Sequence, residues 1–108
     1  MQLKVPENFK AVVTGGGSGL GRAFCELLAS HGAKIVVADI DEEGAQETIS
    51  LVQKAGAEAL FVKTDVSIWD DVVALEKAAS QFLGDVDLVV NNAGVGARGA
   101  TEKISLED

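Results

Sequence analysis

Thr14-Gly15-Gly16-Gly17-Ser18-Gly19-Leu20-Gly21 is the stretch that decides the fold, and its flanks give it meaning. Before it, Phe9-Lys10-Ala11-Val12-Val13 reads as a short buried β-strand. After it, Leu20, Ala23, Phe24, Leu27 and Leu28 recur at helical spacing, which predicts an apolar helix face. A glycine-rich turn between strand and helix lets backbone N–H groups approach a phosphate without Cβ obstruction. The helix N-terminus adds partial positive charge and unpaired donors. A strand before and a helix after are the context that a lone glycine motif needs.

The rest of the chain repeats the alternation. Ala33 to Ala38 is expected as the second strand, entered after Gly32, a helix stop. Asp41 suits the cap of a second helix, with Glu42 and Glu43 in its first turn and Gly56 at its end. Ala57 to Lys63 reads as the third strand. Ser67 with Asp70 forms a capping-box pattern for a third helix, with Val72, Leu75, Ala79 and Phe82 inward and Gly84 as its stop. Val86 to Val90 gives the fourth strand, and Gly94 to Lys103 reads as a loop. Continuous apolar strands separated by helices imply a parallel sheet covered on both faces. Right-handed crossovers then give an α/β, doubly wound, Rossmann-type sheet of order 3-2-1-4.

Residues 1–108 are expected to form the cofactor-binding portion of one larger domain. Ser105-Leu106-Glu107-Asp108 is a further capping pattern, so a fourth helix is expected to begin where the sequence stops. Strand 4 would then be a bare edge, and one sheet face would carry only the third helix.

Composition removes several classes of function. Nine basic and 17 acidic residues give a net charge of −8 without any Lys/Arg cluster, so a nucleic-acid partner is not expected. The acidity suits a soluble cytoplasmic protein. The single cysteine, Cys25, allows neither an internal disulfide nor a thiolate metal site, and it reads as a small helix hydrophobe. The single histidine, His31, falls at the end of the first helix, where it favours the dipole. No metal site is expected. The opening residues lack the apolar core of a signal peptide, and nothing approaches transmembrane length, so no membrane partner is expected either.

Four places fall at the carboxyl ends of strands, where open α/β sheets bind ligands. The first is the glycine turn. The second is Asp39, 18 residues after Gly21, where a carboxylate can accept both hydroxyl protons of an adenosine ribose and repel a 2′-phosphate. No basic residue precedes Gly19 or follows Asp39, so NAD is expected in preference to NADP. The third is Asp65-Val66, with Val66 against an adenine ring and Asp65 near its amino group. The fourth is Asn91-Asn92-Ala93-Gly94, where small residues admit a cofactor and the Asn amides tie the sheet end together. Singly, each has a plainer reading: a tight connection, a solvated strand end, an acidic turn residue or helix-capping neighbour, a pair of turn formers. Together, at matching strand ends, they point to a dinucleotide.

These motifs resemble the N-terminal part of a short-chain dehydrogenase/reductase. That family carries a Thr-Gly-x-x-x-Gly-x-Gly turn, here Thr14 to Gly21, and an Asn-Asn-Ala-Gly segment, here Asn91 to Gly94. Asp39 matches the acid of its NAD-preferring members, and Asp65-Val66 its Asp-Val step. The resemblance implies that Gly15, Gly17, Ser18, Gly19, Leu20 and Gly21 cradle the pyrophosphate. It implies that Asp39 and Ile40 hold the adenosine ribose and flank adenine, and that Asp65 and Val66 contact adenine. Asn92, Ala93 and Gly94 would lie against the nicotinamide ribose, with Asn91 supporting the sheet. Arg98 could touch substrate or be a solvated surface residue.

The resemblance also implies what is missing. The family works with a Ser, a Tyr and a Lys in a Tyr-x-x-x-Lys pattern, plus an Asn on the fourth helix, and the Tyr acts as general acid/base. This sequence has no tyrosine and none of those positions, so no catalytic residue is assigned and the chain alone is expected to be inactive. The implied whole is an NAD-dependent oxidoreductase moving hydride between nicotinamide and a small alcohol or ketone, forming a dimer or tetramer when full length. The alternatives are a non-catalytic NAD-binding or interaction module, and a partial chain with no independent fold.

Overall fold

The computed structural model describes residues 8–92, together with the backbone of a short strand at 106–107. The elements run β1 (Lys10–Thr14), α1 (Gly19–Ala29), β2 (Lys34–Asp39), α2 (Glu42–Lys54), β3 (Glu58–Lys63), α3 (Trp69–Leu83), β4 (Leu88–Asn91) and β5 (Leu106–Glu107). The sheet order is β3-β2-β1-β4-β5. The first four strands pair in parallel, in the doubly wound order expected from the alternation of strands and helices.

Valine and isoleucine fill these strands because both faces are covered. Ala11, Val13, Ile35, Val37 and Val90 point to the α1/α2 layer, where Cys25, Leu28, Ile49 and Val52 meet them. Val12, Val36 and Ala38 point the other way, onto Leu75, Ala79 and Leu83 of α3. Successive residues alternate between layers because a strand's side chains alternate faces. Each fully buried Val or Ile contributes about 1.5–3 kcal/mol. The α3 layer is thinner. A groove of about 570 Å³ runs over it, lined in part by Val12, Val89, Leu75 and Ala79.

The helix limits follow local chemistry. Oδ1 of Asp41 accepts from the Gly44 N–H at 3.2 Å, the expected cap of α2. Gly32, with φ 78°, ends the first helical segment in a conformation that favours glycine.

Four expectations need correction. The inward face of α1 is Gly21, Cys25, Leu28 and Ala29, whereas Leu20 and Leu27 are exposed and Ala23 lies on their side. Apolar residues cover more than half of this helix, and the small ones turn inward so that it can approach the sheet closely. Ser67 does not cap α3. The N-cap is Ile68, whose side chain has no polar atom to accept a bond, and Ser67 lies one residue before it, turned back so that N and Oγ donate to Asp65 Oδ1 at 2.9 and 2.6 Å. Leu106–Glu107 is a strand, not the start of a helix, and it pairs antiparallel with Val89 and Val90. The outer edge of β4 is therefore paired at those residues. Three strands also end one residue later than expected, so Thr14, Asp39 and Asn91 belong to the sheet itself. The loop expected at 94–103, like Ser105 and Asp108, lies outside the described residues.

Candidate functional site

Register puts the site residues on one edge. Thr14 is level with Ala38 on one side and with Asn91 on the other, while Asp39 is level with Lys63. The carboxyl ends of β1, β2 and β4 therefore form a single ledge, and the glycine turn crosses it from β1 to α1.

The turn is held from below by main-chain bonds. The N–H groups of Gly15 and Gly16 both donate to the carbonyl of Ala38, at 2.7 and 3.3 Å. The N–H of Gly17 donates to Oδ2 of Asp39 at 2.8 Å, and Asp39 Oδ1 accepts from the Asp41 N–H at 2.9 Å. Asp39 thus fastens three segments at once: its own strand end, the glycine turn and the entry to α2. Two glycines are there for space. A Cβ on Gly21 would lie 2.0 Å from the Gly15 carbonyl oxygen, and one on Gly17 would lie 2.7 Å from Asp39 Oδ2. Both are closer than real Cβ contacts allow.

Beyond Gly17 the donors change direction. The N–H groups of Ser18, Gly19, Leu20 and Gly21 have no acceptor among the described residues. They gather at the N-terminus of α1, the end of the helix that carries partial positive charge. Four such donors, in a segment where five of the seven residues from 15 to 21 are glycine, can receive an anion.

The opposite wall is Thr14 with the two asparagines. The Thr14 hydroxyl accepts from the Asn92 N–H at 2.9 Å and shares its own proton between the Val90 carbonyl (3.3 Å) and Asn91 Oδ1 (3.2 Å). The Asn92 amide nitrogen donates to the Gly15 carbonyl at 3.2 Å. Asn91 ties β4 to β1, the support role expected of it, and Asn92 joins it by locking the turn. Ala93, Gly94 and Arg98 lie outside the described residues.

On the far side of Asp39, Ile40 and Val66 are exposed apolar groups, 57% and 39% accessible. The Asp65 carboxylate sits below the usual carboxylate range because the Ser67 hydroxyl and then the Ser67 N–H donate to it. It serves its own loop in this way, and its N–H donates to Asp71 Oδ2 at 2.9 Å.

Two contributors were not singled out by the sequence reading, Arg22 and Thr48. Arg22 Nε donates to Thr48 Oγ1 at 2.9 Å, and Arg22 Nη2 lies 2.5 Å from the Gly17 carbonyl and 2.9 Å from that of Gly44. The same nitrogen pairs with Glu47 Oε1 at 3.1 Å. Thr48 is fully buried, and its hydroxyl donates to the Gly16 carbonyl at 2.7 Å. The only hint in the sequence is a basic residue directly after Gly21.

Cys25 is buried in the α1 layer, and burial pushes its thiol up to about 12. Among the described residues no group of three His, Cys, Asp or Glu side chains could hold a metal ion, and no helix is long and apolar enough to cross a membrane.

The chain is similar to known proteins of one family. The family described as short chain dehydrogenase matches residues 10–108. An uncharacterized oxidoreductase of Thermotoga maritima is 44% identical over 85 residues, 79% of this chain and 33% of the relative. The cis-4-hydroxycyclohexanecarboxylate dehydrogenase of Sinomonas cyclohexanicum is 46% identical over 86 residues, 79% of this chain and 34% of the relative. The crystal structure of a short chain dehydrogenase/reductase from Burkholderia phymatum, in complex with NAD, superposes with a TM-score of 0.79. It is 51% identical, and the match covers 83% of this chain and 32% of that one. The chain therefore spans about a third of the length of the proteins it matches.

Proposed function

This chain belongs to the short-chain dehydrogenase/reductase family, and on that premise we propose that it forms the NAD-binding portion of an oxidoreductase acting on a small alcohol or ketone. The observation that carries the reading is the ledge itself. Four N–H donors without acceptors among the described residues stand at a turn whose close packing requires glycine at 17 and 21. Such a cradle suits an anionic group such as a pyrophosphate.

In this reading the N–H groups of Ser18, Gly19, Leu20 and Gly21 hold the pyrophosphate, while Gly15 and Gly17, whose own N–H groups are taken by Ala38 and Asp39, shape the turn around it. Asp39 receives the adenosine ribose hydroxyls, while Ile40, Val66 and Asp65 border adenine. Asn92, with Ala93 and Gly94, flanks the nicotinamide ribose. When bound, the nicotinamide supplies the hydride chemistry. The residues of this chain bind and orient: the turn fixes the phosphates, and Asn92, itself held by Thr14 and directed at Gly15, sets the height of the sheet end. General acid/base chemistry and substrate selection belong to the whole protein rather than to these residues.

Preference for NAD over NADP rests on charge. Asp39, Asp41, Glu42 and Glu43 lie in sequence where a 2′-phosphate would arrive. Arg22, a cation close to the turn, is already engaged with Gly17, Gly44, Thr48 and Glu47. A titration of the protein with NADH and with NADPH, followed by cofactor fluorescence, tests this. Saturable NADH binding with much weaker NADPH binding is expected. Equal affinities would overturn the ribose argument, and no binding of either would overturn the cofactor reading.

A further inference from the structure

Resting on that cofactor reading, we propose that Arg22 is a positioning residue for the pyrophosphate, acting through the orientation of two peptide units in the glycine turn.

The argument starts from peptide geometry. In a trans peptide the C=O of one residue and the N–H of the next point in opposite directions. Fixing a carbonyl therefore aims the following N–H. Thr48 Oγ1 donates to the Gly16 carbonyl at 2.7 Å, and the N–H of Gly17, on the other side of that peptide, points to Asp39 Oδ2 at 2.8 Å. Arg22 Nη2 takes the Gly17 carbonyl at 2.5 Å, and the N–H of Ser18 is turned the other way, toward the open mouth of the cradle. Ser18 N–H is the first of the four donors without an acceptor among the described residues.

Without that clamp the Gly17–Ser18 peptide would be free to rotate, because glycine tolerates conformations closed to other residues. Rotation would remove one phosphate donor and bring a carbonyl oxygen to bear on an anion. Arg22 prevents both. Its guanidinium spans acceptors from the turn (Gly17) and from α2 (Gly44 and Thr48), and its side chain is only 26% accessible. Nε takes Thr48 while Nη2 takes the two carbonyls, so the rigid planar group holds the buried hydroxyl and the turn from two nitrogens at a fixed spacing, which the single nitrogen of a lysine cannot reproduce. Thr48 completes the knot, accepting from Arg22 and donating to Gly16 with one hydroxyl.

The test compares a ligand that has a pyrophosphate, ADP-ribose, with one that has no phosphate, adenosine. The protein is taken as its source produces it. Arg22→Ala is expected to weaken ADP-ribose about tenfold, the loss of one hydrogen bond to a charged partner, while adenosine changes less than about twofold. Arg22→Lys is expected to stay close to Arg22→Ala, because charge without the fork does not hold the turn. Equal losses for the two ligands would mean a general structural role and overturn the proposal. Wild-type affinity in Arg22→Lys would overturn it as well, by showing that charge suffices.

If Arg22→Ala does not fold, the pair Thr48→Val and Thr48→Ser decides. The valine should weaken ADP-ribose, and the serine, which keeps the hydroxyl, should not. Identical behaviour of the two would overturn the clamp. Failure of the unmodified protein to bind ADP-ribose or NADH is a different result: it removes the cofactor reading, and the clamp with it.

Discussion

The backbone N–H of Gly17 donates to Oδ2 of Asp39 at 2.8 Å, which joins the glycine turn and the acid at the end of β2 into one hydrogen-bonded unit. The acid proposed to select the cofactor also fastens the loop proposed to hold it. Substitutions on this ledge therefore act on binding and on stability together.

Asp39→Ala is expected to abolish the preference for NADH over NADPH and also to cost about 1–2 kcal/mol of stability, because two backbone donors lose a charged acceptor. Cofactor titrations and chemical denaturation of the same samples check both halves. A variant with reversed preference and unchanged stability would show that the Gly17 and Asp41 bonds contribute nothing.

Gly21→Ala meets the Gly15 carbonyl oxygen, 2.0 Å from an ideally placed Cβ. Backbone has to move for the methyl group to fit. The expected cost is about 3 kcal/mol, with cofactor binding lost even where the variant still folds. Thermal melts with and without NADH read this out: the unmodified protein should be stabilised by the ligand and the variant should not.

Thr14→Val keeps shape and removes a hydroxyl that the Asn92 N–H, the Val90 carbonyl and Asn91 all use. A destabilisation of about 1–3 kcal/mol is expected, since the Asn92 donor loses its acceptor. Thr14→Ser should recover most of it. Faster hydrogen exchange at Asn92 in the valine variant would locate the damage.

Cys25 titrates at about 12 in the folded chain, against an ordinary value of 9.0. The folded state favours the protonated thiol, so the unfolded chain releases its proton first as pH rises. Stability from this group is complete below pH 9, and it falls between about 9 and 12 by about 1.4 kcal/mol per unit. Denaturation measured from pH 8 to 11 should show that slope vanish in Cys25→Ala. The thiol should also resist alkylating reagents until the protein unfolds.

The sheet order, the glycine turn and the strand-end acid were legible because each depends on neighbours in sequence. Alternating apolar strands and helices dictate the crossovers, and Asp39 terminates an apolar run that has no other ending. The packed face of α1 was not legible. Leu20, Phe24, Leu27 and Leu28 suggest one stripe, but the closeness of helix and sheet selects Gly21 and Cys25 for the interior. The capping pattern at Ser67 does not form because its hydroxyl is turned toward the Asp65 carboxylate, two residues away, instead of being aimed at the N–H groups of the helix end. Arg22 and Thr48 escaped notice because their meeting depends on how α1 packs on α2, 26 residues apart in sequence. A pair of that kind has no local signature.

The central strand acquires its second neighbour late. β1 is flanked by β2 and β4, and Thr14 meets Asn91 across a separation of 77 residues. At a synthesis rate of 5–20 residues per second, Asn91 is joined to the chain about 4–15 s after Thr14. Throughout that interval one flank of β1 offers its main-chain donors and acceptors to whatever strand is near, and neighbouring ribosomes on one message carry the same strand. Newborn copies of this chain are therefore open to mispairing with one another along β1 until β4 is made.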